Sequence, residues 1–470
     1  MDPAQQLAKL QSLPVYFVEE AFRESLWPYQ RQILNSLRDN NTTAVRSCHG
    51  IGKSYTAARA VLWFLYCFPN SKVITTAPTF RQVEDILWRE LRSAKQKAVI
   101  PLTGSLSQTK LDISEEWFAL GLSTDQPDRF QGYHAQHILL VVDEAAGVNE
   151  EIFQASEGIV SSEGAKTLLI GNPTALAGTF YQSFRIPNIS KVQISCFDTP
   201  NFQQFGITIE DIRTNTWQQK INAPLPAPYL ITPEWVYDKF LKWGDNSPMW
   251  QARVMGEFPI QGEDTLIPLQ KIEAATVREL IAKPEDMEQI GADVARFGSD
   301  KTVFVHRKGP VVTEIKTFAF LDTMETAERL FDFSRFHPFG EVHIDEIGVG
   351  AGVADRMRQL EDKKEIVGIN VGLPANNTEM FFNLRAEMYW GLRDRFITGD
   401  ISIPANDDLM SQLANLKFKY TPKGQVQIES KEEMKKRGLP SPDIADALVL
   451  AFGNVYNKPN ILSYMEAMKA

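Results

Sequence analysis

Ser47-Cys48-His49-Gly50-Ile51-Gly52-Lys53-Ser54 follows a short apolar run at 43–45 and precedes residues 55–68, whose apolar positions recur at helical spacing. A strand, a glycine-rich loop and a helix in that order form a phosphate cradle. Backbone N–H groups of His49, Gly50 and Gly52 and the helix N-terminus face the anion, Lys53 reaches the β- and γ-phosphates, and the Ser54 hydroxyl holds Mg²⁺. Ser47 stands where the first glycine of the usual pattern belongs. Downstream, the unbroken apolar run of residues 138–142 ends in Asp143-Glu144. An Asp at the end of a buried strand can hold Mg²⁺, and a neighbouring Glu can polarise the attacking water.

Three further segments fit the same site less specifically. The run 168–170 ends in Gly171-Asn172-Pro173-Thr174, where Asn172 either senses a γ-phosphate or opens an ordinary Asn-Pro turn. In Leu26-Trp27-Pro28-Tyr29-Gln30, the Gln30 amide reads adenine or the segment is a helix start with proline in its first turn. Arg129, just ahead of the Asp143 strand, is a candidate cation for a neighbouring subunit's nucleotide, and Arg46 is its rival in cis; surface arginines are also commonly just solvated.

Working outward, short apolar runs at 43–45, 73–77, 137–142, 167–170 and 191–194 alternate with helical or polar stretches, which predicts a parallel α/β sheet. We read 1–257 as one domain. It includes a small subdomain at about 202–256, entered by the proline-rich stretch 222–233, and is followed by a connector at 258–288. Residues 289–470 start a second sheet. Strand 289–293 and hairpin 302–306/311–318 precede helix 323–336, strand 341–345, helix 352–360 and strand 366–370. Helix 382–395, hairpin 417–420/425–429 and helix 441–454 complete it.

In this second half Asp293 and Asp345 each end a strand, and Asp443 and Asp446 begin the last helix. Carboxylates converging without His or Cys suit two hard ions, Mg²⁺ or Mn²⁺, which can activate water and stabilise the leaving oxygen of a phosphodiester. Asp300 reads as a turn residue. Lys431, Lys435, Lys436 and Arg437, on a loop interleaved with Glu429, Glu432 and Glu433, either hold a DNA backbone or form a solvated mixed-charge face.

Length and composition set the frame. With 470 residues, 43% hydrophobic and a net charge of −10, the chain is a multidomain globular protein rather than a basic nucleic-acid coat. Cys48, Cys67 and Cys196 are too scattered for a disulfide framework or a structural zinc site. The opening MDPAQQLAKLQSL is not patterned as a signal peptide, and the longest apolar run, 60–68, is too short to span a membrane. The expectation is a soluble protein of a reducing compartment. Ile461, Leu462, Tyr464 and Met465 near the end offer a docking segment or a frayed terminus.

From Trp27 to Phe452 the chain resembles the large terminase subunits of tailed bacteriophages, in the order WPYQ, HGIGKS, TTAPT, LLVVDEA, GNPT, GADVARFGSD, VHIDE, NLRAEMYWGLR and SPDIADAL. The resemblance implies an α/β fold: a phosphate-loop ATPase domain with a central, mostly parallel sheet, then a ribonuclease H-like, mixed-sheet nuclease domain. It implies ATP-driven translocation of double-stranded viral DNA through a portal into a procapsid, and metal-dependent endonuclease cutting of concatemeric DNA. Lys53 and Ser54 match the family's phosphate-loop pair, Asp143 and Glu144 its metal-binding acid and catalytic base, Gln30 its adenine reader and Asn172 its coupling motif. Asp293, Asp345 and Asp443 match the nuclease acids; Asp446 is similar to an additional acid of some members. Arg129 lies where several members carry an arginine acting in trans, whereas His49 replaces the loop arginine of others. ATP, Mg²⁺ in the ATPase site and two Mg²⁺ or Mn²⁺ in the nuclease site are the implied cofactors. A small terminase subunit, the portal and a homo-oligomeric ring, often of five, are the implied partners. The cytoplasm of an infected bacterium, not the mature virion, is the implied location.

Overall fold

The computed structural model describes residues 3–123, 127–130, 132–260, 262, 264–295, 301–337, 340–361 and 363–453. Asp300 and the tail residues Ile461, Leu462, Tyr464 and Met465 lie outside them. The chain divides into two compact units, Met1–Ile260 and Gln261–Ala470.

The first unit carries an eight-stranded sheet: β1 (Thr42–Ser47), β2 (Lys72–Thr76), β3 (Ser105–Leu106), β4 (Lys110–Ser114), β5 (Trp117–Gly121), β6 (His137–Asp143), β7 (Gly164–Gly171) and β8 (Ser190–Ile194). Their order is β3-β4-β5-β2-β6-β7-β1-β8. Every pairing from β5 to β8 is parallel, and β3 and β4 add an antiparallel edge. The apolar runs of the sequence all become strands; β3–β5 were not foreseen, because β3 is two residues long, β4 mixes Lys110, Asp112 and Ser114 with its apolar residues, and β5 is a short apolar run of only five residues.

Strand β6 shows why the centre is stable. Ile138, Leu140 and Val142 face a cluster with Ile152, Phe153 and Phe180. Leu139 and Val141, on the opposite face by alternation, are fully buried too, and the helix Lys53–Cys67 packs against the strand. Burying five such side chains contributes on the order of 10 kcal/mol as an upper bound. That burial fixes the C-terminal edge of β6, where Asp143 and Glu144 sit. The helix Lys53–Cys67 is itself buried on nearly every side, because Pro3–Ser12, Pro14–Phe22 and Arg89–Lys97 cover what the sheet does not.

The expected small subdomain is helical, with Ile209–Arg213, Trp217–Lys220, Pro233–Trp243 and Pro248–Arg253. Side-chain oxygens of Thr208, Thr232 and Ser247 accept from the first-turn N–H groups of three of these helices, which satisfies donors that would otherwise be orphaned.

The second unit holds β9 (Glu288–Asp293), β10 (Thr302–Lys308), β11 (Val311–Phe318), β12 (Glu341–Asp345) and β13 (Glu365–Ile369) in the order β11-β10-β9-β12-β13, with a separate hairpin β14 (Phe418–Tyr420) and β15 (Val426–Ile428). The first three strands pair antiparallel, and β9, β12 and β13 run parallel. This mixed sheet has the ribonuclease H-like order the resemblance implies. Helices Thr323–Arg335 and Gly350–Leu360 contribute Ala327, Leu330, Val353 and Met357 to the core on one face. On the other face the helix Asp443–Phe452 lies directly on β9 and β10. Gly291 permits this: a Cβ there would stand 2.1 Å from the Ala447 carbonyl oxygen and 2.3 Å from the Ala451 nitrogen.

Part of the stretch expected as a connector, 258–288, belongs to the core of the second unit. Leu266, Ile267, Leu269, Ile272 and Ala275 are fully buried, the helix Leu269–Val277 packs on Asp407–Asn415 and Leu384–Thr398, and Leu266 N–H donates to Leu416 O at 3.0 Å. Its scattered prolines concealed a short apolar helix. Among the described residues no helix is long and apolar enough to cross a membrane.

Candidate active sites

The loop after β1 ends at Gly52, whose left-handed φ of 79° delivers the chain into the helix Lys53–Cys67. From there Lys53 and Ser54 meet the ends of β6 and β7. Ser54 Oγ donates to Asp143 Oδ2 at 2.7 Å, and Lys53 Nζ lies 3.2 Å from Asn172 Oδ1 and 3.4 Å from Glu144 Oε1. Asn172 ties the site together. Its Nδ2 donates to Ser47 O at 2.6 Å, and its backbone N–H donates to Glu144 Oε2 at 3.4 Å. Glu144 adopts a left-handed φ of 46°, uncommon for a residue with a side chain.

The two acids are pushed apart. Burial lifts the Asp143 carboxyl to about 6, and the Glu144 charge adds to that, against the Ser54 hydroxyl and Lys53. Glu144 lies below the usual carboxylate range: burial opposes its charge, but Lys53, His49 and the Asn172 N–H outweigh it. The donor set fits Mg²⁺. Oxygens in adjacent positions of an octahedral Mg²⁺ stand about 2.9 Å apart, close to the 2.7 Å between Ser54 Oγ and Asp143 Oδ2.

The small subdomain holds the loop. Gly50 O accepts from Ile231 N–H at 2.9 Å, His49 N–H donates to Arg253 O at 2.8 Å, and the His49 ring lies parallel to Trp235 at a centroid distance of 6.4 Å. The sequence gives no signal for these partners. Gln30 is buried beside Gly52, its Nε2 3.1 Å from where a Cβ of Gly52 would stand, while its Oε1 accepts from Trp27 N–H at 3.4 Å. It therefore serves as a helix cap and faces the loop at once.

Neither candidate arginine joins this cluster. Exposed Arg129 lines a cavity of about 550 Å³ with Phe80, Leu120, Leu122 and Tyr133, beside β5 and so two strands from β6. Arg46 turns to Gln193 Oε1 at 2.5 Å and to the rings of Phe184 and Phe258.

In the second unit the four acids meet. Asp293 and Asp345 end the adjacent strands β9 and β12, and Gly291 lets the helix bearing Asp443 and Asp446 close on them. Lys431 sits at the centre, with Nζ 3.0 Å from Asp446 Oδ2, 3.6 Å from Asp293 Oδ2 and 3.7 Å from Asp443 Oδ1. This overturns both readings of that run for Lys431. It opens a helix, Lys431–Lys436, capped by Ser430, and its ammonium turns inward. Around it, Tyr389 Oη donates to Asp446 Oδ1 at 2.6 Å, Arg385 lies 3.3 Å from the same oxygen, and Lys301 N–H donates to Asp443 Oδ2 at 2.7 Å. Ile347 N–H donates to Asp345 Oδ1 at 3.0 Å.

Burial, reinforced by the other acids, raises Asp293 well above the carboxylate range. Asp345 is raised mainly by burial. Asp446 is held down despite burial by Arg385, Lys431 and Tyr389. Three of the four carboxylates converge on the Lys431 ammonium, with Asp345 on the neighbouring strand, and oxygen donors of this kind are the set that suits Mg²⁺ or Mn²⁺. Among the described residues no group of three acids, histidines or cysteines is spaced to hold one ion. The residues fit the metals in kind, and the Lys431 ammonium already contacts the oxygens of three of them.

The fold defines the class: an α/β chain in which a parallel-sheet phosphate-loop unit precedes a mixed-sheet, ribonuclease H-like unit with a carboxylate cluster. No protein-family model matches the chain. A probable large terminase subunit of Enterobacteria phage P7 is 25% identical over 471 residues, covering 93% of this chain and 90% of that protein. The likeness to large terminase subunits that the motifs carry thus extends along nearly the whole chain. Among solved structures, the nuclease domain of the large terminase subunit gp2 of bacterial virus Sf6 is 23% identical, covering 40% of this chain and 98% of that one, with a TM-score of 0.36. A large terminase from a thermophilic bacteriophage is 12% identical, covering 92% of this chain and 99% of that one, with a TM-score of 0.40. Strand order, rather than these scores, carries the fold assignment.

Proposed function

We propose that this chain is the large subunit of a phage terminase: an ATPase that drives double-stranded DNA through the portal into a procapsid, and a metal-dependent endonuclease that cuts concatemers. The observation that carries the reading is the presence in one chain of the Lys53–Ser54–Asp143–Glu144–Asn172 cluster and the Asp293–Asp345–Asp443–Asp446 cluster.

In the first site Ser54 and Asp143 would hold Mg²⁺, which supplies charge neutralisation at the phosphates. Lys53 now pairs with Glu144; an incoming phosphate competes for that ammonium. Glu144 is then released to accept a proton from water, and Asn172 reports the change to Ser47 through its amide. Arg129, exposed and unengaged by the acids of its own site, is available to a neighbouring subunit of a homo-oligomeric ring of about five. In the second site Asp293, Asp345, Asp443 and Asp446 would hold two Mg²⁺ or Mn²⁺, which together activate water and stabilise a leaving oxygen. Tyr389 and Arg385 orient Asp446. A small terminase subunit and the cytoplasm of the infected bacterium, outside the finished virion, complete the reading.

Plasmid cleavage by the purified chain with Mn²⁺ or Mg²⁺, against Asp293→Asn, tests it. Cleavage lost in the variant supports the nuclease half; no cleavage by folded wild-type chain with either metal refutes it.

A further inference from the structure

The first unit has a second cationic feature, on the sheet edge made by β8. A cleft of about 480 Å³ is lined by Arg46, Arg185 and Lys191 together with Tyr181, Phe184 and Phe258. In a chain of net charge −10 this is a local concentration of positive charge; Glu257, which accepts from Gln193 Nε2 at 3.2 Å, is the acid beside it. The aromatics organise the cations. The Arg46 guanidinium lies 5.4 Å from the Phe184 ring centre and 5.2 Å from that of Phe258, and Arg185 lies 4.3 Å over Tyr181. Arg46 Nε is buried with no hydrogen-bond partner among the described residues, an unusual state for a charged donor in a finished fold.

The position of Arg46 gives the cleft its interest. The next residue, Ser47, offers the carbonyl held by Asn172, and Asn172 in turn contacts Lys53 and Glu144. Arg46 is thus one residue along β1 from the carbonyl that supports the Lys53–Asn172–Glu144 cluster.

We propose that this cleft binds the phosphate backbone of duplex DNA and that Arg46 relays its occupancy, through Ser47 and Asn172, to Glu144. Arg185 and Lys191, both exposed, make the phosphate contacts. The aromatics hold the guanidinium groups pre-aimed, which suits a contact made and released repeatedly without reading sequence. The inference rests on the function proposed above for the hydrolytic site.

The test uses the full chain and the charge reversal Arg185→Glu/Lys191→Glu, whose exposed positions leave the core untouched. With a short labelled duplex, anisotropy at low salt should show affinity reduced ~10-fold or more, and the slope of log affinity against log salt should shrink by about two. ATP hydrolysis without DNA should be unchanged, and its acceleration by DNA lost. Arg46→Lys, which keeps the charge but not the planar fork, should retain most DNA affinity and lose the acceleration. Unchanged affinity and slope in the double variant would overturn the cleft, and impaired ATP binding in place of DNA binding would reassign it to nucleotide. If the wild-type chain hydrolyses no ATP, the proposed function falls while the anisotropy comparison still decides the cleft. Equal acceleration of both chains would overturn the relay and leave that function standing.

Discussion

The Lys431 ammonium stands 3.0 Å from the Asp446 carboxylate and within 3.7 Å of Asp293 and Asp443. It neutralises part of the repulsion among them, so a divalent cation must displace it to gain the same oxygens. Lys431→Ala should therefore bind Mn²⁺ more tightly in titration calorimetry, by ~10-fold, and should be less stable than wild type without metal. Weaker Mn²⁺ binding by the alanine variant would show that Lys431 assists the metal rather than competes with it.

Lys53 and Glu144 share one ion pair, and the proposed hydrolysis draws on both groups. Lys53→Ala and Glu144→Gln should each lower ATP turnover by ~100-fold or more while metal-dependent plasmid cleavage continues. Wild-type turnover by Glu144→Gln would remove that residue from the role of base.

Asp143 has a pH signature of its own. Its carboxyl titrates at about 6 in the folded chain, against an unfolded value of about 3.9, so the folded state keeps a proton that the unfolded state gives up. The stability this proton contributes is complete below about pH 4 and is lost as pH rises through 6. Asp143→Asn should then raise stability in magnesium-free buffer by on the order of 2 kcal/mol at pH 7, with the advantage fading toward pH 4, while abolishing hydrolysis. Chemical denaturation across that range checks it; a variant advantage that grows toward low pH would contradict the assignment.

Gly291 is where a helix touches a strand without side chains between them. Gly291→Ala should push the helix Asp443–Phe452 off β9, lowering stability by about 1–3 kcal/mol and abolishing cleavage with the acids intact. Thermal unfolding and plasmid cleavage together distinguish this from loss of a ligand, and a fully active alanine variant would mean the helix can shift without cost.

The parallel strands were legible because burial on both faces writes an unbroken apolar run such as residues 138–142, and the acids at strand ends were legible because their positions repeat a simple rule. Lys431 was not legible: a lysine in a run of Lys and Glu looks solvated until the helix that carries it is placed, and only tertiary packing turned its side chain inward. Arg46 failed for the opposite reason. Proximity in sequence to the phosphate loop suggested the nucleotide, but alternation along β1 sent its side chain to Phe184 and Phe258. The partners of the loop, Ile231, Trp235 and Arg253, come from a proline-rich stretch with no pattern pointing back to residue 50.

Those partners have a consequence for synthesis. The loop takes its hydrogen bonds from Ile194, Ile231 and Arg253, all far downstream. A nascent chain that has just extruded HGIGKS therefore carries the motif without its conformation, since contacts this distant in sequence close late. On the function proposed here, nucleotide competence is expected only once residue 253 has emerged, so products truncated before it should be silent rather than idling consumers of ATP.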